Sequence, residues 1–217
     1  MLTQVTSNEI SLPNLFTTSA ADLPFMRDVV VRSFLIKGEN GTLAIYNAPG
    51  LSESATMEGG APKTLLMSHW HEEMYGPPEL DLTPYVAAAD RAETARSLPN
   101  VRTFDAYQNN QAYIDIIPTP GHTAGSAMFL WTCGDHRVLF SGDSIWNHDG
   151  RWEAVVLGES NRQNYIASLE AIAELDFDVL IPWVARRGTP CVNVCDRHTA
   201  RTSVLEIAHR LRQGEPT

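Results

Sequence analysis

Short apolar runs, each closed by a turn former, fill the first two thirds of this chain and commit it to a sheet-based fold. Val29–Ile36 and Leu43–Tyr46 flank Gly38-Glu39-Asn40-Gly41, a loop of turn residues that predicts a hairpin. Thr64–Met67 is a compact apolar run ending in a polar burst, the pattern of a buried strand feeding a loop. Tyr113–Ile117 stops at Pro118-Thr119-Pro120-Gly121, where prolines cannot donate to a ladder. Ala127–Trp131 and Val138–Phe140 flank Gly134-Asp135 as a second hairpin, and Val179–Ile181 is closed by Pro182. Helices are expected mainly after residue 142. Asn161–Leu175 lines up Ile166, Leu169, Ile172 and Ala173 behind a Ser160 cap, and Thr199–Arg212 lines up Val204, Ala208 and Leu211 with Asp196 or His198 near its start. Ala88–Leu98 carries a weaker helical pattern. With no internal repeat and no clustered Pro or Gly, residues 1–217 are expected to form a single mixed α/β domain.

Charge excludes some roles. Sixteen Lys and Arg against 26 Asp and Glu give a net charge of −10, which argues against a phosphate-backbone binder and hence against nucleic acid as a partner. No apolar run is long enough to span a membrane, and the start, MLTQVTSNEI, lacks the basic head and apolar stretch of a secretory signal. Three cysteines (Cys133, Cys191 and Cys195) leave at least one unpaired, which fits a reducing, cytoplasmic location. The partner expected is a small-molecule substrate.

Chemistry concentrates where strands end. Ser68-His69-Trp70-His71-Glu72-Glu73-Met74 follows the buried strand directly. In extended backbone, residues i and i+2 point the same way, so His69 and His71 can aim two imidazoles at one point. Neutral imidazole is the commonest protein ligand for zinc and also suits iron. Pro118-Thr-Pro-Gly-His122-Thr-Ala-Gly-Ser126 adds a histidine in a rigid turn, and Ser141-Gly-Asp143-Ser144 adds a carboxylate just past another strand. Together these residues are what a shared metal pocket at one sheet edge needs.

This order of motifs, His-x-His-x-(acid), Thr-Pro-Gly-His-Thr-x-Gly-Ser and Ser-Gly-Asp-Ser, resembles the metallo-β-lactamase fold superfamily, and the resemblance runs from Ser33-Phe34-Leu35-Ile36-Lys37-Gly38 to the C-terminal helix. It implies a four-layer αββα sandwich of two mixed β-sheets flanked by helices, with a metal site at the sheet edge and a metal-activated water attacking an ester, thioester, amide or phosphoester. The departures are specific. The family's His-x-His-x-Asp-His has Glu73 and Met74 in its last two positions, its final Pro-Gly-His-Gly turn reads Pro182-Trp183-Val184-Ala185, and its Ile-Asp-Thr-Gly loop reads Ile45-Tyr46-Asn47-Ala48.

Sorted by metal, the resemblance leaves one site whole. His69, His71 and His122 remain as ligands with Asp143 beside them, whereas the second site keeps only Glu73, because Met74 is a poor partner for zinc and Val184 cannot ligate. One Zn2+ is therefore expected, with Fe2+ as the alternative. Three imidazoles with an open position make a catalytic kind of zinc site, in which bound water reaches a pKa of about 7. Glu73 is the expected proton carrier and Asp143 the residue that orients water or completes coordination. Lacking a second metal to stabilise a leaving group, the chain is expected to hydrolyse a thioester or ester rather than a β-lactam. Two rivals are a non-catalytic, binding or regulatory member of the fold and a mononuclear iron oxidoreductase like the persulfide dioxygenases. Sheets of this type pair through exposed edges or loops, so a homodimer is the assembly to expect where the chain self-associates.

Among other residues, His148 could replace a lost ligand but reads better as a solvent-facing loop residue. His136, His198 and His209 read as surface residues, and Cys191-x-x-x-Cys195 has no second ligand pair. Trp70, Trp146, Trp152 and Trp183 can line an apolar pocket or pack their loops, and Arg186-Arg187 is a mild anion-binding signal.

Overall fold

Strict alternation along each central strand decides the architecture. On Ala127–Cys133, Phe129 and Trp131 face one core, while Met128 and Leu130 face another. Val138 and Phe140 alternate in the same sense with Leu139, and Val179 and Ile181 with Leu180. Strands buried on both faces need a layer on each side. The structure, a computed structural model, describes residues 2–6, 10–78, 80–106 and 114–215, so the start of the expected strand at Tyr113 lies outside the described residues.

Two mixed sheets pack face to face. The first has seven strands in the spatial order Thr3–Thr6, Ser11–Thr17, Phe34–Gly38, Gly41–Ile45, Thr64–Leu66, Thr83–Val86 and Arg102–Thr103, antiparallel up to Gly41–Ile45 and parallel beyond it. The second has five, ordered Ile114–Pro118, Ala127–Cys133, His136–Gly142, Val179–Pro182 and Asn193–Val194, with a parallel pairing between His136–Gly142 and Val179–Pro182. Phe34, Ile36, Leu43 and Ile45 from the first meet Phe129, Val138, Phe140 and Ile181 from the second in one shared core. Edge-on packing of the Phe34, Tyr46 and Phe140 rings, 5.9–6.1 Å apart, centres it. Each such fully buried side chain contributes on the order of 1.5–3 kcal/mol.

The outer layers differ in kind. Helix α1 (Arg91–Thr94) is one turn, continuing the 3-10 turn Ala88–Asp90; with the 3-10 turn Leu51–Thr56 and the loop to Val101 it covers the outer face of the first sheet. The helical pattern over Ala88–Leu98 thus becomes a single α-turn. Helices α2 (Arg162–Ile172) and α3 (Arg197–Arg212) cover the second sheet through Tyr165, Leu169, Ile172, Val204, Ile207 and Leu211. Asp196 caps α3, accepting from Thr199 N at 3.0 Å. The expected Ser160 cap of α2 is instead Asn161, whose Oδ1 accepts from Asn164 N at 3.0 Å, because the Ser160 hydroxyl is engaged with Leu157 N and His122 O.

Val29–Ile36, expected as one strand, is two. Val29–Val31 leaves the main sheet to pair with Ala21–Asp22 and with Val184–Arg186, and Phe34–Gly38 forms the expected hairpin with Gly41–Ile45. The detour carries the turn at residues 23–28 to the sheet edge where His69, His122 and Asp143 all emerge, each just past the C-terminal end of a strand.

Candidate metal centre

His69 keeps extended backbone (φ −164°, ψ 167°), but Trp70–Tyr75 turns at once into a 3-10 helix, so the expectation of an extended pair holds for His69 alone. The two imidazoles still converge, through different ring atoms. Centroids of His69, His71 and His122 form a nearly equilateral triangle of 5.0, 4.8 and 4.9 Å, with ring planes 77–82° apart. One ligand atom from each lies within 4.8 Å of the others.

Hydrogen bonding at the outer nitrogens sets the tautomers. His122 Nδ1 lies 2.7 Å from Val155 O, an acceptor, so Nδ1 carries the proton. His71 Nε2 donates to Glu159 Oε1 at 2.8 Å. Ser68 Oγ donates to Glu72 Oε1 at 2.6 Å, and therefore accepts from His69 Nδ1 at 2.9 Å. Lone pairs are left on His69 Nε2, His71 Nδ1 and His122 Nε2, all facing inward. Such an arrangement, with each ligand's other nitrogen held by an acceptor, is how metal-binding histidines are oriented. His71 Nδ1 and His122 Nε2 are 3.0 Å apart, against about 3.3 Å between tetrahedral nitrogens at zinc bond lengths.

Asp143 approaches from the second sheet. Its Oδ2 is 3.6 Å from His69 Nε2 and 4.0 Å from His122 Nε2. Its Oδ1 and His69 Nε2 are both buried without a hydrogen-bond partner, a costly state that a cation between them would relieve. The electrostatics show the same demand. Burial opposes a charge on His69, yet the nearby carboxylates of Asp143 and Glu72 outweigh burial and push its pKa up to about 10. Burial and the nearby His69 push His122 down to about 4 and lower His71 as well. Burial works against the Asp143 carboxylate, but His69 holds it below its usual range. The cluster requires one positive charge, as a proton or as a metal.

The loops owe their positions to supporting residues that the motifs do not mark as ligands. Glu72, an unassigned position between His71 and Glu73, is fully buried; its carboxylate accepts from Ser68 N, Ser68 Oγ and Asn47 N at 2.6–2.7 Å. Asp90 ties the His69–His71 turn to the His122 turn, accepting from Trp70 N, Thr123 Oγ1 and Gly125 N. Gly125 must lack a side chain, since a Cβ there would lie 2.6 Å from the Asp90 carboxylate. Gly142, at φ +57°, would likewise place a Cβ 2.4 Å from Ser68 Oγ. Tyr46, itself at φ 65°, donates from its hydroxyl to Ile181 O and accepts from Gly142 N, pinning the segments that lead to Trp183 and Asp143.

A cavity of about 600 Å³ opens beside the cluster, with His71 and Asp143 in its lining. Glu73 lines it, half-buried, with Oε2 lacking a hydrogen-bond partner. Met74 and Val184 also form its wall, as do Trp70, Trp146 and Trp183. Trp152 does not; it packs in the core under α2 and α3, stacked on Phe177. His148, read as facing solvent, stacks on Trp146 at 4.8 Å and bonds Glu153 at 3.0 Å on the cavity rim. Arg186 pairs with Asp149 and Arg187 with Asp22. His136 bonds Asp178, and the three cysteines are free thiols.

Residues 45–182 match the model of the metallo-beta-lactamase superfamily, and the chain belongs to that family. Within it, the chain is a divergent member with a partial, three-histidine metal site. Solved structures share the fold at low identity. A metallo-beta-lactamase from Pontibacter korlensis superposes with a TM-score of 0.70 at 13% identity, covering 96% of this chain and 98% of that one. One from Erythrobacter litoralis, with beta mercaptoethanol in its active site, gives 0.68 at 14%, covering 95% and 99%. A metallo-beta-lactamase family protein from Thermus thermophilus gives 0.64 at 16%, covering 93% and 80%. No curated protein matches the chain in sequence. Among the described residues, no helix is long and apolar enough to cross a membrane.

Proposed function

We propose that this protein is a hydrolase of esters or thioesters that works with one divalent cation, zinc, held by His69, His71 and His122. The observation that carries the reading is the inward set of three lone pairs, each fixed by a hydrogen bond at the ring's far side. Met74 and Val184 on the cavity wall support a single ion, because neither offers a second one a nitrogen or oxygen. When bound, zinc supplies Lewis acidity that brings the pKa of nearby water to about 7.

The chain's own groups then divide the remaining work. Asp143 accepts a hydrogen bond from the attacking water and keeps it beside the histidines. Glu73, which lines the cavity and whose buried Oε2 has no hydrogen-bond partner, takes the water's proton as the oxygen adds to the acyl carbon. The ester C–O or thioester C–S bond breaks, the departing oxygen or sulfur takes that proton, and the carboxylic acid leaves.

Metal analysis of protein purified without added metal, paired with an ester-cleavage assay, tests the reading. Zinc near one equivalent and cleavage that chelator abolishes are expected; His122→Ala should lose both. Iron near one equivalent would place the protein with the oxidoreductases, and a metal-free, inactive protein with the binding members of the fold.

A further inference from the structure

We propose that the cavity beside the histidine cluster, lined by His71 and Asp143, is an acyl pocket, which takes the uncharged aliphatic or aromatic acyl part of the substrate. This rests on the hydrolase reading for its chemistry, though not for its binding.

Three observations converge. First, the large hydrophobic side chains that stand exposed among the described residues are Phe25, Met26 and Leu157, at 76%, 44% and 43%, and all three line this cavity. Exposed apolar groups gathered at one opening mark a binding site rather than chance surface. Second, the apolar wall reaches the histidines themselves: Trp183 lies edge-on to His69 at 5.3 Å, and Trp70 tilts over His71 at 4.1 Å. A chain in the pocket would therefore present its carbonyl carbon to the cluster. Third, among the described residues no lysine or arginine lines the cavity, while Glu73, Asp143 and Glu153 do. The nearby arginines, Arg151, Arg186 and Arg187, are held by Glu153, Asp149 and Asp22. A substrate carboxylate or phosphate would find no lysine or arginine to pair with among the described lining residues, whereas a neutral chain meets Met74, Val184 and tryptophan. The volume, about 600 Å³, is in the range of small-ligand sites. Replacement of two ligand positions by Met74 and Val184 thus does more than remove a metal; it lengthens the apolar wall.

Binding and turnover separate the pocket from the hydrolase reading. Tryptophan fluorescence follows binding of butanamide, hexanamide and octanamide, which need no cleavage, to the purified chain. The dissociation constant should fall about threefold for each methylene taken into the pocket. Adipamic acid, which carries a carboxylate at the far end, should bind at least tenfold more weakly than hexanamide. Leu157→Asp, at the exposed rim, should weaken octanamide at least tenfold. A flat chain-length series, adipamic acid as tight as hexanamide, or an indifferent Leu157→Asp would overturn the pocket, even if zinc-loaded protein cleaves p-nitrophenyl hexanoate. The expected binding series without cleavage of that ester would keep the pocket and remove the hydrolase reading.

Discussion

Glu159 holds His71. The two are 88 residues apart, and the Glu159 Oε1 to His71 Nε2 distance is 2.8 Å. The same loop accepts from His122 Nδ1 through Val155 O and donates to His122 O from Ser160 Oγ. One stretch between the second sheet and α2 thus orients two of the three ligands, and its Leu157 also borders the cavity.

Glu159→Ala should therefore lower metal affinity about 10- to 100-fold while leaving the fold intact, since the Glu159 side chain is 46% exposed. Glu159→Gln, which still accepts from His71, should recover part of that loss. Competition against a chromophoric chelator measures both; an unchanged affinity in Glu159→Ala would show that His71 needs no such support.

In chelator-treated protein the histidines should titrate far apart. His69, with its pKa near 10, should keep both ring protons at pH 8, and His122, near 4, should stay neutral at pH 5.5. The raised pKa of His69 contributes stability that is complete below about 6.5 and is lost as pH rises toward 10. The depressed pKa of His122 contributes stability that is present above about 6.5 and is lost as pH falls toward 4. Ring 15N shifts across this range report each residue; His69 neutral at pH 7 would contradict the cation demand of the cluster.

Glu72→Ala should cost roughly 3 kcal/mol in urea unfolding, because Ser68 N, Ser68 Oγ and Asn47 N would lose a buried acceptor together. Glu72→Gln should cost less, as it keeps an acceptor oxygen. Equal stability of Glu72→Ala and the parent would mean that water replaces the carboxylate.

Restoring ligands at both altered positions should restore a second ion. In Met74→His/Val184→His the new imidazoles join Glu73 on the cavity wall, and bound zinc by metal analysis should rise from one equivalent toward two. A stoichiometry that stays at one would show that the wall holds these side chains out of reach of Glu73 and Asp143.

Period-two burial and turn chemistry are local, so strands such as Leu43–Tyr46, Ala127–Trp131 and Val138–Phe140, with α2 and α3, can be read from residue order, as can the histidines lying just past strand ends, while the division into two sheets was implied by the family resemblance. His69 and His71 need only their neighbours to be noticed, and His122 only its Pro118–Ser126 turn. Val29–Ile36 reads as one strand because Arg32-Ser33, between two apolar halves, is no turn signal, yet there a second partner, Val184–Arg186, draws Val29–Val31 out of the sheet. Glu72, Asp90 and Glu159 carry no local mark of their roles, and Tyr46 stands out only as a departure from the family's Ile-Asp-Thr-Gly loop. A glutamate that buries its carboxylate under a histidine loop has the same side chain as one left in water, and only the path of the backbone decides which it becomes. The amino-acid order by itself determined the alternation that builds the layers and the three imidazoles available for a metal. The tertiary structure decided which ring nitrogens of His71 and His122 face inward, because that depends on acceptors at Glu159 and Val155 brought across the fold, while His69 has its partner in the adjacent Ser68.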